Sequence, residues 1–337
     1  MTIRVMFPAG RWREDLHIEV DSVGKDIEPV FCTGLEQVTD EQWRACDGLV
    51  SAPDPVPPEK MHLLERCRIL VTPKVGFDNI DLAKWGAAGI PVCNVPDYGT
   101  QEVADHALAL VLTIMKSINF HSERLRADVR GNWKPALNPF GKRLSVCTFG
   151  IVGLGRIGTA TALRAKAFNM DVVFYDPYKS NGSDLALGIR RADSLPELMA
   201  QCDIVSVHVP LGDETRKLIG QAALAAVKPG LVLVNTARGE VVDLDALYDA
   251  MRDNRVLAAG LDVLPEEPAN PQARLIAAWT ANEPWIKDRV LLTPHSAFFT
   301  PQSVYDMRFK GGWVAARYLR EGRLENCVNQ HLLLHRR

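Results

Sequence analysis

The chain alternates short apolar runs with longer amphipathic ones. Residues 3–8 (IRVMFP), 47–51 (DGLVS), 68–72 (RILVT) and 91–94 (PVCN) have the length and apolar content of strands, and the segments between them read as helices. Strand and helix in alternation predict a parallel sheet, here one small α/β unit with Pro53, Pro55, Pro57 and Pro58 as a stiff surface connection inside it. After Pro96, the stretch TQEVADHALALVLTIMKSINFHSERLRADVRG offers Thr100 as an N-cap, Glu102 and Asp105 in the early turns and no proline, and predicts one long helix. The alternation resumes at Val146 and continues through 171–175, 204–208, 231–235, 258–262 and 290–293, predicting six strands of a second sheet.

A length of 337 residues suits two domains better than one core. The formal net charge of −2 supplies no long-range attraction for nucleic acid or anionic lipid, so neither is an expected partner. Nothing approaches the roughly 20 apolar residues of a membrane span, and MTIRVMFPAGRW is unlike a signal peptide, so a cytoplasmic protein is expected. The seven cysteines are scattered, with no Cys-x-x-Cys pair; they read as buried thiols, and no metal is expected.

Candidate chemistry begins at SVCTFGIVGLGRIGTATALRAKAF, where Gly153, Gly155 and Gly158 stand in G-x-G-x-x-G spacing between an apolar strand and an Ala-rich helix. In that context Gly153 permits a tight turn, Gly155 admits a pyrophosphate and Gly158 lets helix pack on strand, with Arg156 and Ile157 at the edge. Asp176 ends the next strand about 20 residues further on, where a carboxylate binds both ribose hydroxyls and repels a 2′-phosphate. NAD is therefore expected rather than NADP, although nearby Lys179 offers a phosphate some compensation.

Downstream, Arg238 lies in NTARGEVVD just before a helix, at the carboxyl edge where ligands of α/β sheets sit. Its fork suits a carboxylate and can polarise the adjacent carbonyl. Asp262 and Glu267 follow the fifth strand of this sheet, and His295 follows the sixth. Histidine titrates near neutrality and can exchange a proton with a hydroxyl, while a carboxylate such as Glu267 would orient it and favour its protonated form. His208 in VSVHVP is expected to line the cofactor groove.

These residues, with KVGFDNID, PDYGTQEVADHALAL, HVPLGDETRKLIG, LDVLPEEP and TPHSAFF, resemble the D-isomer-specific 2-hydroxyacid dehydrogenase family over nearly the whole chain. The resemblance implies Arg238, Glu267 and His295 as the catalytic set. It implies NAD contacts from Arg156, Ile157, Asp176, His208, Pro210, Thr215, Ala237 and Asp262. It also implies two Rossmann-like, doubly wound parallel-sheet domains: a substrate domain of residues 1–97 plus 298–337, and an inserted NAD-binding domain of 98–297. Hinges would fall near Pro96 to Thr100 and Ala297 to Pro301, and the helix from Thr100 would form a homodimer.

Within the family the chain is most similar to the C-terminal-binding-protein branch, whose animal members are NAD-sensing corepressors, so an NAD(H)-sensing binding protein is the rival to an enzyme. In the loop TPKVGFDN, which implies backbone binding of a small anionic 2-hydroxy or 2-oxo acid by Lys74, Val75 and Gly76, a lysine replaces the usual small residue. Lys74 either binds a second anionic group or points to solvent. The segment 270–289 is longer than usual and carries Trp279 and Trp285; phosphite dehydrogenase, a relative, shares a lysine near this loop and a long segment, which keeps phosphite oxidation as a further alternative. Phe298 is either an apolar wall beside the substrate or hinge packing.

Overall fold

The computed structural model describes residues 2–8, 15–51, 56–138, 140–333 and 335. The chain divides into two compact units, one made of Met1–Gly99 with Phe299–Arg337 and the other of Thr100–Phe298.

The first unit holds β1 (Ile3–Pro8), β2 (Ile27–Cys32), β3 (Gly48–Val50), β4 (Ile69–Thr72) and β5 (Val92–Asn94), all parallel in the order β2-β1-β3-β4-β5. The apolar pattern finds every strand except β2. That strand carries Pro29, which speaks against a strand in general but is tolerated because β2 is an edge. Trp43, Leu49, Leu64 and Val92 fill one face of the sheet. The helix Pro301–Glu321 covers the sheet as well: its Gly311 approaches Val50 and Pro73, and its Gly312 approaches Phe7. Buried Arg308 of that helix pairs with Glu19 at 2.6 Å. Pro57 and Pro58 lead into a 3-10 turn, Pro58–Leu63, while Pro53 and Pro55 lie outside the described residues.

The second unit holds β6 (Thr148–Val152), β7 (Asp171–Tyr175), β8 (Arg190–Arg191), β9 (Ile204–Val207), β10 (Leu231–Asn235), β11 (Val256–Leu261) and β12 (Val290–Leu292). They run parallel in the order β12-β11-β10-β9-β6-β7-β8. The seventh strand, β8, is two arginines on the sheet edge, so no apolar run announces it. Strand order reverses between β6 and β9, and in such sheets the crevice beyond that reversal receives the ligand.

The single long helix expected after Pro96 is two helices. Thr100–Met115 is followed by Ser117 in the left-handed region (φ 56°, ψ 37°), and Ile118–Ala127 departs at 56°. The first helix buries Val103, Ala107, Leu110, Val111 and Ile114, whereas the second buries nothing, so the core face that steers the chain ends at the break. No single helix among the described residues is long and apolar enough to cross a membrane. All seven cysteines are free, and five are buried; Cys32 and Cys327 are only half-buried, which corrects the expectation for those two.

Candidate active site

The turn after β6 shows why each glycine is there. Gly153 has φ +92°, and a Cβ on it would stand 2.8 Å from the His208 carbonyl oxygen; a Cβ on Gly158 would stand 2.0 Å from that of Gly153. Gly155 is different. Its φ is an ordinary −74°, and a Cβ would meet nothing within 4 Å. Neither backbone strain nor the protein's own packing asks for glycine at this N-cap of the helix Arg156–Ala167. An external group approaching the free N–H groups of the first turn would. Exposed Arg156 and half-buried Ile157 begin that turn.

Asp176 follows β7 beside this loop. Leu154 N–H donates to its Oδ2 at 2.8 Å and Tyr178 N–H to its Oδ1 at 2.9 Å. A carboxylate so oriented keeps lone pairs for further donors. Two neighbours were not foreseen from sequence. Arg191 donates to the Asp176 carbonyl at 3.3 Å and lies over the Phe174 ring, bringing a cation to this corner. The Tyr178 hydroxyl donates to Glu214, which pushes the phenol pKa up and ties the loop after β7 to the 210–215 turn. Within that turn Thr215 Oγ1 donates to the Pro210 carbonyl at 2.6 Å and accepts Gly212 N–H at 2.8 Å. His208, after β9, has Nε2 at 2.8 Å from Ser206 Oγ, and desolvation pushes its pKa down to about 3, so it is neutral near pH 7.

At the end of β10, buried Asn235 clasps the next loop: its Nδ2 donates to the Arg238 carbonyl at 2.8 Å and its Oδ1 accepts Ala237 N–H at 3.0 Å. The Arg238 guanidinium donates to the Ala237 carbonyl at 2.8 Å. His295 Nδ1 and Glu267 Oε2 are 2.6 Å apart, and Leu264 N–H donates to Glu267 Oε1 at 3.0 Å. Both side chains keep a solvent face, 43% exposed for His295 and 38% for Glu267. Partial burial pushes the Glu267 carboxyl up, but the hydrogen bonds from His295 and Leu264 and the charges of His295 and Arg238 outweigh it and hold the group below its usual range. The three residues therefore share one electrostatic neighbourhood.

His295 sits in the left-handed region, φ 50°, with its N–H donating to the Asp262 carbonyl at 2.8 Å. Asp262 is 2% exposed. Its Oδ1 accepts the Thr293 hydroxyl at 2.6 Å and Ser296 N–H at 2.9 Å, and its Oδ2 accepts Ala297 N–H at 3.0 Å. Its carboxylate is thus engaged in clamping the 293–297 loop. Phe298 lies edge-on to the His295 ring, centroids 6.4 Å apart. Lys74, Val75 and Gly76 belong to the first unit, in the loop after β4, where Asn94 Nδ2 donates to the Val75 carbonyl at 2.8 Å.

The 270–289 segment is occupied with packing. Trp279 donates to the Val290 carbonyl at 3.2 Å, at the amino end of β12 and the opposite end from His295. Trp285 meets Tyr248 edge-on and lies under Arg252 and Arg289.

The model of the D-isomer specific 2-hydroxyacid dehydrogenase NAD-binding domain matches residues 108–297, more than half of the chain. The chain belongs to that family. Among relatives of this 2-hydroxyacid dehydrogenase, the glyoxylate reductase of Korarchaeum cryptofilum is 36% identical over 286 residues, 83% of this chain and 80% of its own. The D-lactate dehydrogenase of Aquifex aeolicus, solved with NAD and lactic acid, is 28% identical with a TM-score of 0.78, covering 94% of this chain and 95% of that one. The NADPH-dependent glyoxylate/hydroxypyruvate reductase of Sinorhizobium meliloti, solved with NADP and malonate, is 28% identical with a TM-score of 0.83, covering 100% and 99%. The family member described here is thus an oxidoreductase with a dinucleotide-binding domain, acting on the CH–OH group of 2-hydroxy acids.

Proposed function

We propose that the protein is an NAD-dependent D-2-hydroxyacid dehydrogenase that interconverts a small anionic 2-oxo acid and its 2-hydroxy acid, with Arg238, Glu267 and His295 as its catalytic residues. The observation that carries this reading is the 2.6 Å contact between His295 Nδ1 and Glu267 Oε2. With Nδ1–H directed at the carboxylate, Nε2 is the nitrogen left to exchange a proton with the oxygen on carbon 2. In reduction the protonated ring gives that proton, and Glu267, held ionised, stabilises the charged ring beforehand. Arg238 binds the substrate carboxylate through its planar fork and draws charge onto the carbonyl oxygen. The bound cofactor supplies the hydride in reduction and takes it up in oxidation.

For the cofactor, the open space at Gly155 supports a pyrophosphate against the helix N-terminus, and Asp176 supports ribose binding and NAD over NADP. Arg191 works against a strict preference, since it brings a cation to the corner a 2′-phosphate would occupy. Ile157, His208, Pro210, Thr215 and Ala237 line the remaining groove in this reading, with Asp262 acting through the loop it clamps. Substrate contacts are proposed for Lys74, Val75 and Gly76, and an apolar wall beside the carbon side chain for Phe298. The helix beginning at Thr100 would join two copies.

The test is NADH consumption over glyoxylate, hydroxypyruvate, pyruvate, bulky 2-oxo acids and dicarboxylic 2-oxo acids, with phosphite and NAD in a separate arm. Turnover of a 2-oxo acid with D stereochemistry in the product is expected. Activity on phosphite alone, or tight NADH binding without turnover of any acid, overturns the proposal.

A further inference from the structure

We infer that His106 is a positioning residue for His295, acting through Thr293 and Asp262; this rests on the assignment of proton transfer to His295. His106 lies on the helix Thr100–Met115, far from the catalytic residues in sequence. Its Nε2 is 3.0 Å from Thr293 Oγ1 and 3.7 Å from Asp262 Oδ1. The directions of the bonds follow from proton counting. Thr293 has one hydroxyl proton, and Asp262 Oδ1, 2.6 Å away, is an acceptor that also takes Ser296 N–H. The hydroxyl proton therefore goes to Asp262, and the Thr293 oxygen receives Nε2–H from His106. The chain runs His106 to Thr293 to Asp262, and it selects the Nε2–H tautomer of His106.

What this chain holds is the loop that presents the imidazole. Asp262 fixes the amides of Ser296 and Ala297 on one side of His295, and its carbonyl takes the His295 N–H. A histidine at φ 50° occupies a backbone region that costs free energy and persists only where its surroundings impose it. Glu267 engages the His295 ring through Nδ1, whereas His106 governs where the loop holds that ring. Without the Nε2–H donor, Thr293 is free to turn away from Asp262 and the loop loses one side of its clamp.

The experiment compares His106→Leu, which keeps bulk and loses the donor, with His106→Gln, whose amide N–H falls near the position of Nε2. In His106→Leu, kcat is expected to fall about tenfold or more, the effect of one hydrogen bond in a charged network, with the NADH dissociation constant within about twofold of wild type. His106→Gln is expected to recover most of that loss. In the double variant with Thr293→Val the losses should not add, because both substitutions break the same chain. Wild-type kcat in His106→Leu, or equal impairment of the Gln and Leu variants, overturns the inference. Should the wild-type protein reduce no 2-oxo acid, it is the proposed function that fails, and amide hydrogen exchange then decides this point alone. Faster exchange at Ser296 and Ala297 in His106→Leu but not in His106→Gln upholds the chain, and unchanged exchange overturns it.

Discussion

A Cβ on Gly239 would stand 1.8 Å from the carbonyl carbon of Leu264 and 2.3 Å from the nitrogen of Pro265. The backbone that carries Arg238 thus runs directly against the backbone that leads to Glu267, and no side chain separates them. Gly239→Ala forces the two loops apart. Its kcat/KM is expected to fall at least about 100-fold, since a displacement near 1 Å is enough for that. The melting temperature should drop too, by an overpacking cost of about 1–3 kcal/mol. Steady-state kinetics and thermal unfolding check both; an alanine variant matching wild type in each would mean that the contact does not set the spacing.

The pair at 2.6 Å makes separate predictions for its two members. His295→Gln should lose about 10²- to 10⁴-fold in kcat while NADH still binds, as read by fluorescence titration. Glu267→Gln removes the carboxylate that His295 Nδ1 contacts, so reductase kcat should fall, as read by steady-state kinetics. Stability follows the carboxylate. Its folded pKa lies below the ordinary 4.5, so its contribution is complete above that value and is withdrawn as pH falls through the depressed one. The unfolding free energy of Glu267→Gln should therefore fall less steeply than that of wild type as pH drops below 4.5, as read by denaturant unfolding at a series of pH values.

Cofactor choice tests Asp176. Replacing it by Ala leaves Leu154 N–H and Tyr178 N–H without their acceptor and removes the charge facing a 2′-phosphate, while Arg191 stays. The ratio of kcat/KM for NADH over NADPH should fall about tenfold or more, the effect of about 1.4 kcal/mol. An unchanged ratio would assign discrimination to other residues.

Arg289 predicts a loss of stability with little change in chemistry. It is 8% exposed and donates to the carbonyls of Met251, Val256, Leu257 and Trp285 at 2.7–3.1 Å. Arg289→Met removes a donor from each of those carbonyls, of which Met251 keeps Asn254 N–H, and should cost about 3 kcal/mol in denaturant unfolding. Because Trp279 and Trp285 serve the same packing, Trp279→Phe should leave the order of preferred substrates unchanged.

What the sequence revealed was local. The glycine turn, Asp176 and the apolar strands each announce themselves within a few residues, because backbone geometry and burial set their composition. Failures came where the cause lies elsewhere in the fold. β2 is hidden by Pro29, acceptable only because no strand pairs with its outer side, and β8 is two arginines on an edge. The helix after Pro96 breaks where its buried face runs out, which a count of residues without proline cannot register. His106 reaches Thr293 across 187 residues of sequence, and Arg191 reaches Asp176 from another strand. Trp279 and Trp285 stand out in sequence as bulky residues in a long insertion, yet Trp279 is tied to the Val290 carbonyl and Trp285 to Tyr248, Arg252 and Arg289, all in the same unit.

The first unit is written in two pieces on either side of the second, and this sets an order of events at the ribosome. The sheet β1–β5 emerges early, but the helix Pro301–Glu321 that covers it, and Val328, whose N–H donates to the Val92 carbonyl, are translated only after all of Thr100–Phe298. The contiguous unit can therefore mature while the nascent chain grows, whereas the split one stays open along the surface around Val50 and Pro73 until its second piece arrives. During that interval the newborn protein is at its most vulnerable to aggregation and most in need of a chaperone.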